Sequence, residues 1–328
     1  MILLLLGLGC SKKEQKAPPS EPSRTDARTQ APRAAEPASD PSPNPEPGAS
    51  PWVELRSPGE EPRRPLRWKF TEGFEYSLQM RAYETMELEM DLGEEEPPSM
   101  ANPPVVYELS LQIRELTDEG TARVAFVVTH ARTEKSHAAS AEEQQAMKEE
   151  LRALRGLAGS YSVDARGLLR DLEYARDSAT AKQATVDRLS QLLRWTTVPL
   201  PQEDVGKGAE WTVKELVLQD GMKIRQQASV KVLDIRGSAI DVSTKIERTA
   251  DQQKLSSLET AEAYELLELE SLESIETEAD LEHLVPRSAK AKVRLKMATR
   301  ADSPDGTTQD VQMSTTLKGT LRGSLLAD

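Results

Sequence analysis

Apolar and polar residues alternate along most of the chain that follows Leu66. About every second residue is apolar over the segments 109–128, 230–246 and 289–320, and a turn sequence interrupts each of them. A period of two puts one face of a strand into a core and the other into solvent, so each segment predicts an antiparallel hairpin. The predicted turns are Asp118-Glu119-Gly120, Arg236-Gly237 and Ser303-Pro304-Asp305-Gly306.

Two other stretches have the period of a helix. Ser140-Ala141-Glu142-Glu143 is a capping box, and the apolar residues behind it share one helix face: Met147, Leu151, Leu154 and Ala158. A second amphipathic helix is predicted from about residue 178 to 194, with Pro199 and Pro201 beyond its end. The predicted fold is therefore mainly β, with two or more helices packed on a curved antiparallel sheet or half-barrel.

The sheet is expected to contain two copies of one β-meander. The segment 73–78 matches 208–213, and the hairpin segment 111–116 matches 230–235. The copies would cover about 66–200 and 201–328, with an acidic insertion at 84–104 in the first. We expect this insertion to be a solvated loop, although a loop that binds a divalent cation or a partner is the alternative. The methionines around it are Met80, Met86, Met90 and Met100.

The first ten residues are typical of a lipoprotein signal. The apolar run from Ile2 to Gly9 is too short to cross about 30 Å of hydrocarbon as a helix, but it suits a signal peptide. Leu6, Leu8, Gly9 and Cys10 resemble a lipobox, so residues 1–9 are expected to be removed and Cys10 to be lipidated. Ser11 favours the outer membrane under the enteric sorting rule, with the rest of the chain facing the periplasm.

Residues 10–65 are expected to be the lipidated cysteine and a disordered tether. This region is rich in Pro, Ala, Ser and Glu, and residues 11–65 hold 13 of the 21 prolines, so it has little apolar area to bury. The apolar island 52–55 could dock on the body, but we expect it to stay solvated. Residues 66–328 then form a single β-rich domain.

Composition narrows the possible partners. The formal net charge is −13 and the pI is about 5.0, which disfavours binding to nucleic acid. Cys10 is the single cysteine, so an internal disulfide is impossible and the domain depends on its core or on a partner.

Candidate catalytic and metal-binding residues are sparse. His130, His137 and His283 have no metal-ligand spacing, and a loop site made of His130, His137 and Glu134 is weaker than the interpretation of solvated side chains. No nucleophile elbow, Walker motif or dinucleotide loop is present. We therefore predict no enzyme activity, no cofactor and no metal site.

The segment 261–277 is rich in both Glu and Leu, a composition that is compatible with either a helix or a strand. We predict a strand, because Lys290 to Lys296 would give it an opposing basic face. Its glutamates are expected to form a solvated face that alternates with leucines and isoleucine; they are Glu265, Glu268, Glu270, Glu273 and Glu276.

Three features together resemble known envelope proteins. They are Gly73-x-Glu75-Tyr76, the segment 200–211 with Leu200-Pro201 and Gly208-x-x-Trp211, and the hairpin at 109–128. With these, the chain resembles the lipoprotein-carrier class of the LolA and LolB type, and more closely a family of uncharacterised bacterial lipoproteins. The resemblance implies a half-barrel around helices and an apolar cavity for a lipid or acyl chain. It implies no catalytic residue.

Two functions follow as expectations. The first is a membrane-anchored lipoprotein whose extracytoplasmic domain binds a hydrophobic ligand or lipid. The alternative is a non-catalytic structural or protein-interaction module of the cell envelope. Cavity volume separates them, because an apolar pocket of several hundred Å³ favours a ligand, whereas a filled core favours a scaffold. The ligand-binding residues cannot be named from the sequence.

Overall fold

A computed structural model describes most of the chain after residue 50. The described residues are 51–90, 99–135, 141–175, 186, 189–190, 192–219, 221–256, 263–302 and 308–326. The predicted signal peptide, Cys10, Ser11 and His137 lie outside these residues, so their predicted roles stay predictions.

The described elements are sixteen strands and one helix. They are β1 (Trp52–Ser57), β2 (Arg64–Pro65), β3 (Glu75–Met90), β4 (Ser99–Ala101), β5 (Val105–Leu116), β6 (Ala122–Thr133), α1 (Ala141–Leu154), β7 (Ala158–Val163), β8 (Leu169–Tyr174), β9 (Asp204–Val205), β10 (Glu210–Gln219), β11 (Met222–Arg236), β12 (Ala239–Ala250), β13 (Gln253–Ser256), β14 (Ala263–Asp280), β15 (Ser288–Asp302) and β16 (Thr308–Leu325).

Fourteen of the strands form one antiparallel sheet. Its order is β1-β10-β11-β12-β14-β15-β16-β3-β5-β6-β7-β8, with β13 paired to β14 and β4 paired to β3. The sheet is open, and β1 and β8 are its edges. β2 and β9 form a separate two-stranded ladder.

The prediction of two or more helices packed on the sheet is wrong. Within the described part of the chain α1 is the one helical element, and it packs against β6. The second predicted helix lies partly outside the described residues, and its described residues 186, 189–190 and 192–193 are helical. The core is filled by the side chains of the sheet's inner face, by the irregular segment 195–201 and by buried leucines at helical positions; these are Leu151, Leu154, Leu189, Leu192 and Leu193.

The predicted hairpins are confirmed, because period-two alternation specifies both the strand and its buried face. They are β5–β6, β11–β12 and β15–β16, although the turn at 303–306 lies outside the described residues. The prediction of a strand over 261–277 is also confirmed for its described part, since β14 pairs with β15 and sets Glu276 opposite Lys290.

Two segments predicted to be loops are strands instead. The island at 52–55 is β1, which pairs with β10 and sets Leu55 beside Trp211, so the sheet begins within the region predicted as tether. The first part of the acidic insertion continues β3 as far as Met90, and Met86 is buried. In both cases apolar residues gain burial against neighbouring strands, which outweighs a charged local sequence. Residues 91–98 lie outside the described residues.

The interior contains two apolar clusters, one towards each end of the long strands. β14 and β16 have 18 residues each, which at about 3.3 Å per residue is about 60 Å of strand. The main cluster fills one end of the inner face and includes Trp68, Tyr76, Trp195 and Trp211. A second, methionine-rich cluster lies at the other end and contains Met86, Met222, Ile224, Ala250, Leu255, Leu266, Leu269, Met297 and Met313.

The two segments proposed as repeats share one hydrogen-bonding pattern. The N–H of Gly73 donates to the carbonyl of Ile113 over 2.9 Å, and the N–H of Gly208 donates to that of Val232 over 3.0 Å. Both glycines have positive φ, 84° and 77°. The β5–β6 and β11–β12 ladders are each irregular just beyond the accepting residue. The duplication itself stays a prediction.

Candidate functional site

The candidate site is a small hollow on the inner face of the sheet. Its volume is about 90 Å³, and it lies between the segment 194–199 and the inner face of β10, β11, β12 and β14. Apolar side chains line most of it, including Val213, Ala228, Val230, Ile246 and Ile275, and polar and charged side chains line the rest. This is the place where the resemblance to carriers implies an apolar cavity.

The segment 195–200 closes the hollow and is fixed by indole donors. Nε1 of Trp211 donates to the carbonyl of Pro199 over 2.8 Å, and Nε1 of Trp68 donates to the carbonyl of Val198 over 3.2 Å. The hydroxyl of Thr197 donates to the carbonyl of Gly167 over 2.8 Å. Because these donors and acceptors are buried, releasing the segment would leave several polar groups without partners.

The ring of Trp195 fits where the sheet has only small side chains. Ala82, Gly319 and Ala291 are cross-strand neighbours on β3, β16 and β15. A methyl group added to Gly319 would lie 3.3 Å from Cζ3 of Trp195, so the indole lies directly against that backbone. Trp195 is 6% exposed and therefore occupies interior space that a ligand would need.

A row of polar side chains crosses the inner face beside the hollow. The guanidinium of Arg194 lies 3.0 Å from the carboxylate of Glu215, and the amide of Gln226 donates to that carboxylate over 3.4 Å. Nε of Arg248 donates to the side-chain oxygen of Gln226 over 2.7 Å, and Arg248 forms an ion pair with Glu273. We call these five residues the polar row. It lies between the two apolar clusters.

Glu273 was expected on a solvated face, and that expectation is wrong. Its side chain is fully buried, whereas Leu272 beside it is 44% exposed. Neighbouring residues of a strand point to opposite faces, so Glu273 shares the inner face with Leu269 and Ile275. The alternation of the strand alone predicts an inner position for Glu273, whereas the general preference of glutamate for solvent predicts the opposite.

The alternative loop site of His130, His137 and Glu134 lies partly outside the described residues, because it includes His137. His130 lies within β6, not in a loop, and its Nδ1 lies 3.4 Å from the carboxylate of Glu108. Glu134 forms an ion pair with Arg81 at 2.6 Å. His283 packs edge-on against Tyr76, with ring centroids 6.2 Å apart. Among the residues that the structure describes, no group of three or more His, Cys, Asp or Glu side chains could hold a metal ion.

Two larger hollows lie elsewhere on the sheet and are polar. One of about 550 Å³ is lined by the charged ends of β10, β11 and β12, where Arg225 and Asp251 form a two-point ion pair of 2.5 and 2.6 Å. The other, of about 530 Å³, lies over β14, β15 and β16 and is lined in part by Glu268, Glu270 and Lys296. Their charged walls are unsuited to an acyl chain.

No protein-family model matches the chain, and no curated protein is significantly similar to it. Within the described part of the chain no helix is long and apolar enough to cross a membrane.

Proposed function

We propose that this chain is a lipid-anchored, non-catalytic interaction module of the cell envelope, with the described sheet as its extracytoplasmic domain. The observation that carries the proposal is the filled interior. The inner hollow has about 90 Å³, whereas pockets that hold drug-sized ligands have about 300–1,000 Å³. The place where a carrier would keep its cargo is taken by Trp195 and the segment that follows it.

The anchor is proposed from the sequence pattern that ends at Cys10. A lipid there would hold the sheet at a membrane surface, and the outer membrane facing the periplasm is the proposed location. The sheet would then act through its outer face and its edges, where backbone and side chains are accessible to a partner.

A second candidate function is the binding of an apolar ligand with an acidic head group. The observation that favours it is the position of Arg194 and Arg248 beside the apolar wall of the hollow. Such a ligand could enter only if the segment 195–200 moved away. It would also have to compete with Glu215 and Glu273 for the two guanidinium groups.

Native mass spectrometry of residues 11–328, purified without detergent, tests the proposal. A chain that starts at Ser11 contains all of β1, whereas a chain that started within β1 would lack part of this strand. For the interaction module we expect the mass of the protein alone, with no adduct after fatty acid or phospholipid is added. A stoichiometric adduct of lipid mass would overturn the proposal and favour the second candidate.

A further inference from the structure

Two neighbouring strands carry stripes of opposite charge on the outer face of the sheet. β14 presents an acidic stripe made of Glu268, Glu270, Glu276 and Glu278. β15 presents a basic stripe made of Lys290, Lys292, Arg294 and Lys296. All eight side chains are exposed. At about 3.3 Å per residue, the basic stripe is about 20 Å long.

The two stripes face each other in register but do not form close ion pairs. Glu276 is the cross-strand neighbour of Lys290, and Glu270 is that of Lys296. Among the described residues, none of the eight side chains has an opposite charge within 4.0 Å, although other charged pairs of the sheet reach 2.6 Å. The charges of both stripes are therefore accessible to a partner.

An exposed leucine lies in the middle of this surface. Leu272 is 44% exposed on β14, and its cross-strand neighbour is Arg294. Along the strand its neighbours on the same face are Glu270 and Ser274, and its cross-strand neighbour on β12 is the exposed Glu247. An apolar centre within a polar rim is the usual composition of a protein–protein contact.

We propose that this surface binds a second copy of the same chain. The two-fold axis would run parallel to the strands, above the outer face and over the line between β14 and β15. It would place the acidic stripe of each copy over the basic stripe of the other. Because cross-strand neighbours lie at the same height, Glu276 would meet the partner's Lys290, and Glu270 the partner's Lys296. Only a surface with adjacent stripes of opposite sign is complementary to itself in this way.

The charges of the two stripes argue against a membrane or an acidic protein as the partner of this surface. An anionic membrane would attract the basic stripe but repel the acidic stripe beside it, as well as a chain of net charge −13. A purely acidic partner would meet the same repulsion from β14. A second copy satisfies both stripes at once. The inference rests on the proposed function, since it names a partner for the interaction module.

The contact is expected to be modest and sensitive to salt. Four strands over about eight residues cover roughly 500 Å² of sheet on each copy, which is at the low end for specific interfaces. The hollow of about 530 Å³ beside Glu268, Glu270 and Lys296 makes one end of this surface concave, which reduces the contact there. Anchoring of both copies in one membrane would raise their effective concentration. In free solution the dimer should therefore be reversible.

Sedimentation velocity of residues 11–328 tests the inference. A concentration-dependent dimer is expected at about 10 mM salt, and a monomer at about 1 M salt, because the Debye length falls from about 30 Å to about 3 Å. The variants Lys290→Glu/Lys296→Glu and Glu270→Lys/Glu276→Lys should each lose self-association by at least about tenfold. Mixed in equal amounts, these two variants should form a heterodimer, since each again meets opposite charges.

A matched control has the same change of charge elsewhere. Lys223→Glu/Lys254→Glu changes two exposed lysines on β11 and β13, and it should still dimerise at low salt. Its heterodimer with Glu270→Lys/Glu276→Lys should be weaker than that of Lys290→Glu/Lys296→Glu with the same partner, because only one of the two stripe contacts is then complementary. A wild-type chain that stays monomeric at low salt would overturn the inference. A mixture of the two charge-reversed stripe variants that forms no heterodimer would also overturn it. So would binding to anionic vesicles that depends on the stripes and occurs without dimers. These results are independent of a lipid adduct in the mass spectrum, so the two proposals can fail separately.

Discussion

The guanidinium of Arg248 and the carboxylate of Glu273 form an ion pair inside the sheet, with 12% and 0% of their side chains exposed. The pair lies between the two apolar clusters, and Gln226 extends it towards Glu215. Removing two charges from water is costly, and their attraction repays this only with good geometry and further hydrogen bonds. The polar row supplies such bonds from neighbouring strands, so its members should depend on one another for stability.

Replacement of Arg248 by Met should therefore destabilise the protein strongly. The variant removes the cationic partner of a fully buried carboxylate, and the expected loss is about 3–5 kcal/mol in the free energy of unfolding. Urea denaturation at pH 7 measures it. The double variant Arg248→Met/Glu273→Leu should recover most of the loss, because it removes both charges together.

The exposed pair of Arg225 and Asp251 provides the control for this prediction. Their side chains are 52% and 74% exposed, so Arg225→Met should change the stability far less than Arg248→Met. Equal effects of the two substitutions would show that burial does not set the strength of the inner pair.

Substitution of Trp195 by Ala should open the interior. The indole fills space against Gly319, so its loss should cost about 3–5 kcal/mol and enlarge the hollow beside β10–β14. We expect the variant to bind anilinonaphthalene sulfonate, with a clear rise in fluorescence, whereas the wild type does not. Trp52→Ala is the control, since Trp52 is 46% exposed. Unchanged dye fluorescence in a folded Trp195→Ala variant would contradict the idea that Trp195 fills the ligand space.

Much of the sheet could be predicted, because period-two alternation specifies a strand and its buried face at once. The hairpins of β5–β6 and β11–β12 came from this signal alone. The signal weakens where charged residues sit on an inner face. Glu84 and Glu273 are both buried, and no local pattern shows that Asn102 hydrogen-bonds the first or that Arg248 pairs with the second.

The burial of the segment 195–200, which closes the hollow, could not be predicted for a different reason. Thr197-Val198-Pro199 looks like an ordinary helix end, and its burial depends on indole donors more than ten residues away in sequence, Trp68 and Trp211. The polar row likewise assembles residues from four strands and a turn. Such long-range contacts leave no periodic signal in the sequence, so the hollow and its lining emerge only from the fold.

Acid should weaken the turn that joins β14 to β15. Burial raises the pKa of Asp280, but hydrogen bonds from Ser238, from the N–H of Glu282 and from Arg287 outweigh it and hold the pKa below its usual value. A lowered folded-state pKa gives stability above the unfolded value of about 3.9, which is lost as the pH falls through the folded value. The stability gap between wild type and Asp280→Asn should thus be smaller below about pH 4 than at about pH 5. Chemical denaturation at several pH values measures it, and a gap that grew in acid would contradict the assignment.

The two glycines with shared geometry should respond alike to alanine. Gly73 and Gly208 have positive φ, and a methyl group added to either would meet no atom within 4 Å. The cost is then backbone strain alone, about 1–2 kcal/mol at each position. Thermal unfolding of Gly73→Ala and Gly208→Ala measures it, with Ser229→Ala on the exposed face of β11 as the control. A large cost at one glycine and none at the other would argue against equivalent positions.

Removal of β1 should damage the sheet, although its sequence resembles the tether. Leu55 pairs with Trp211, and the side chain of Arg56 donates to Thr212 over 3.2 Å. A chain that starts at Pro51 should unfold at the same temperature as one that starts at Ser11. A chain that starts at Pro58 should unfold at least about 5 °C lower, because it lacks the packing of Val53 and Leu55 against the main cluster. It should also self-associate in a way that salt does not reverse, since β10 becomes an open edge. Equal melting temperatures for all three chains would mean that β1 is only loosely attached and that the tether extends to residue 57.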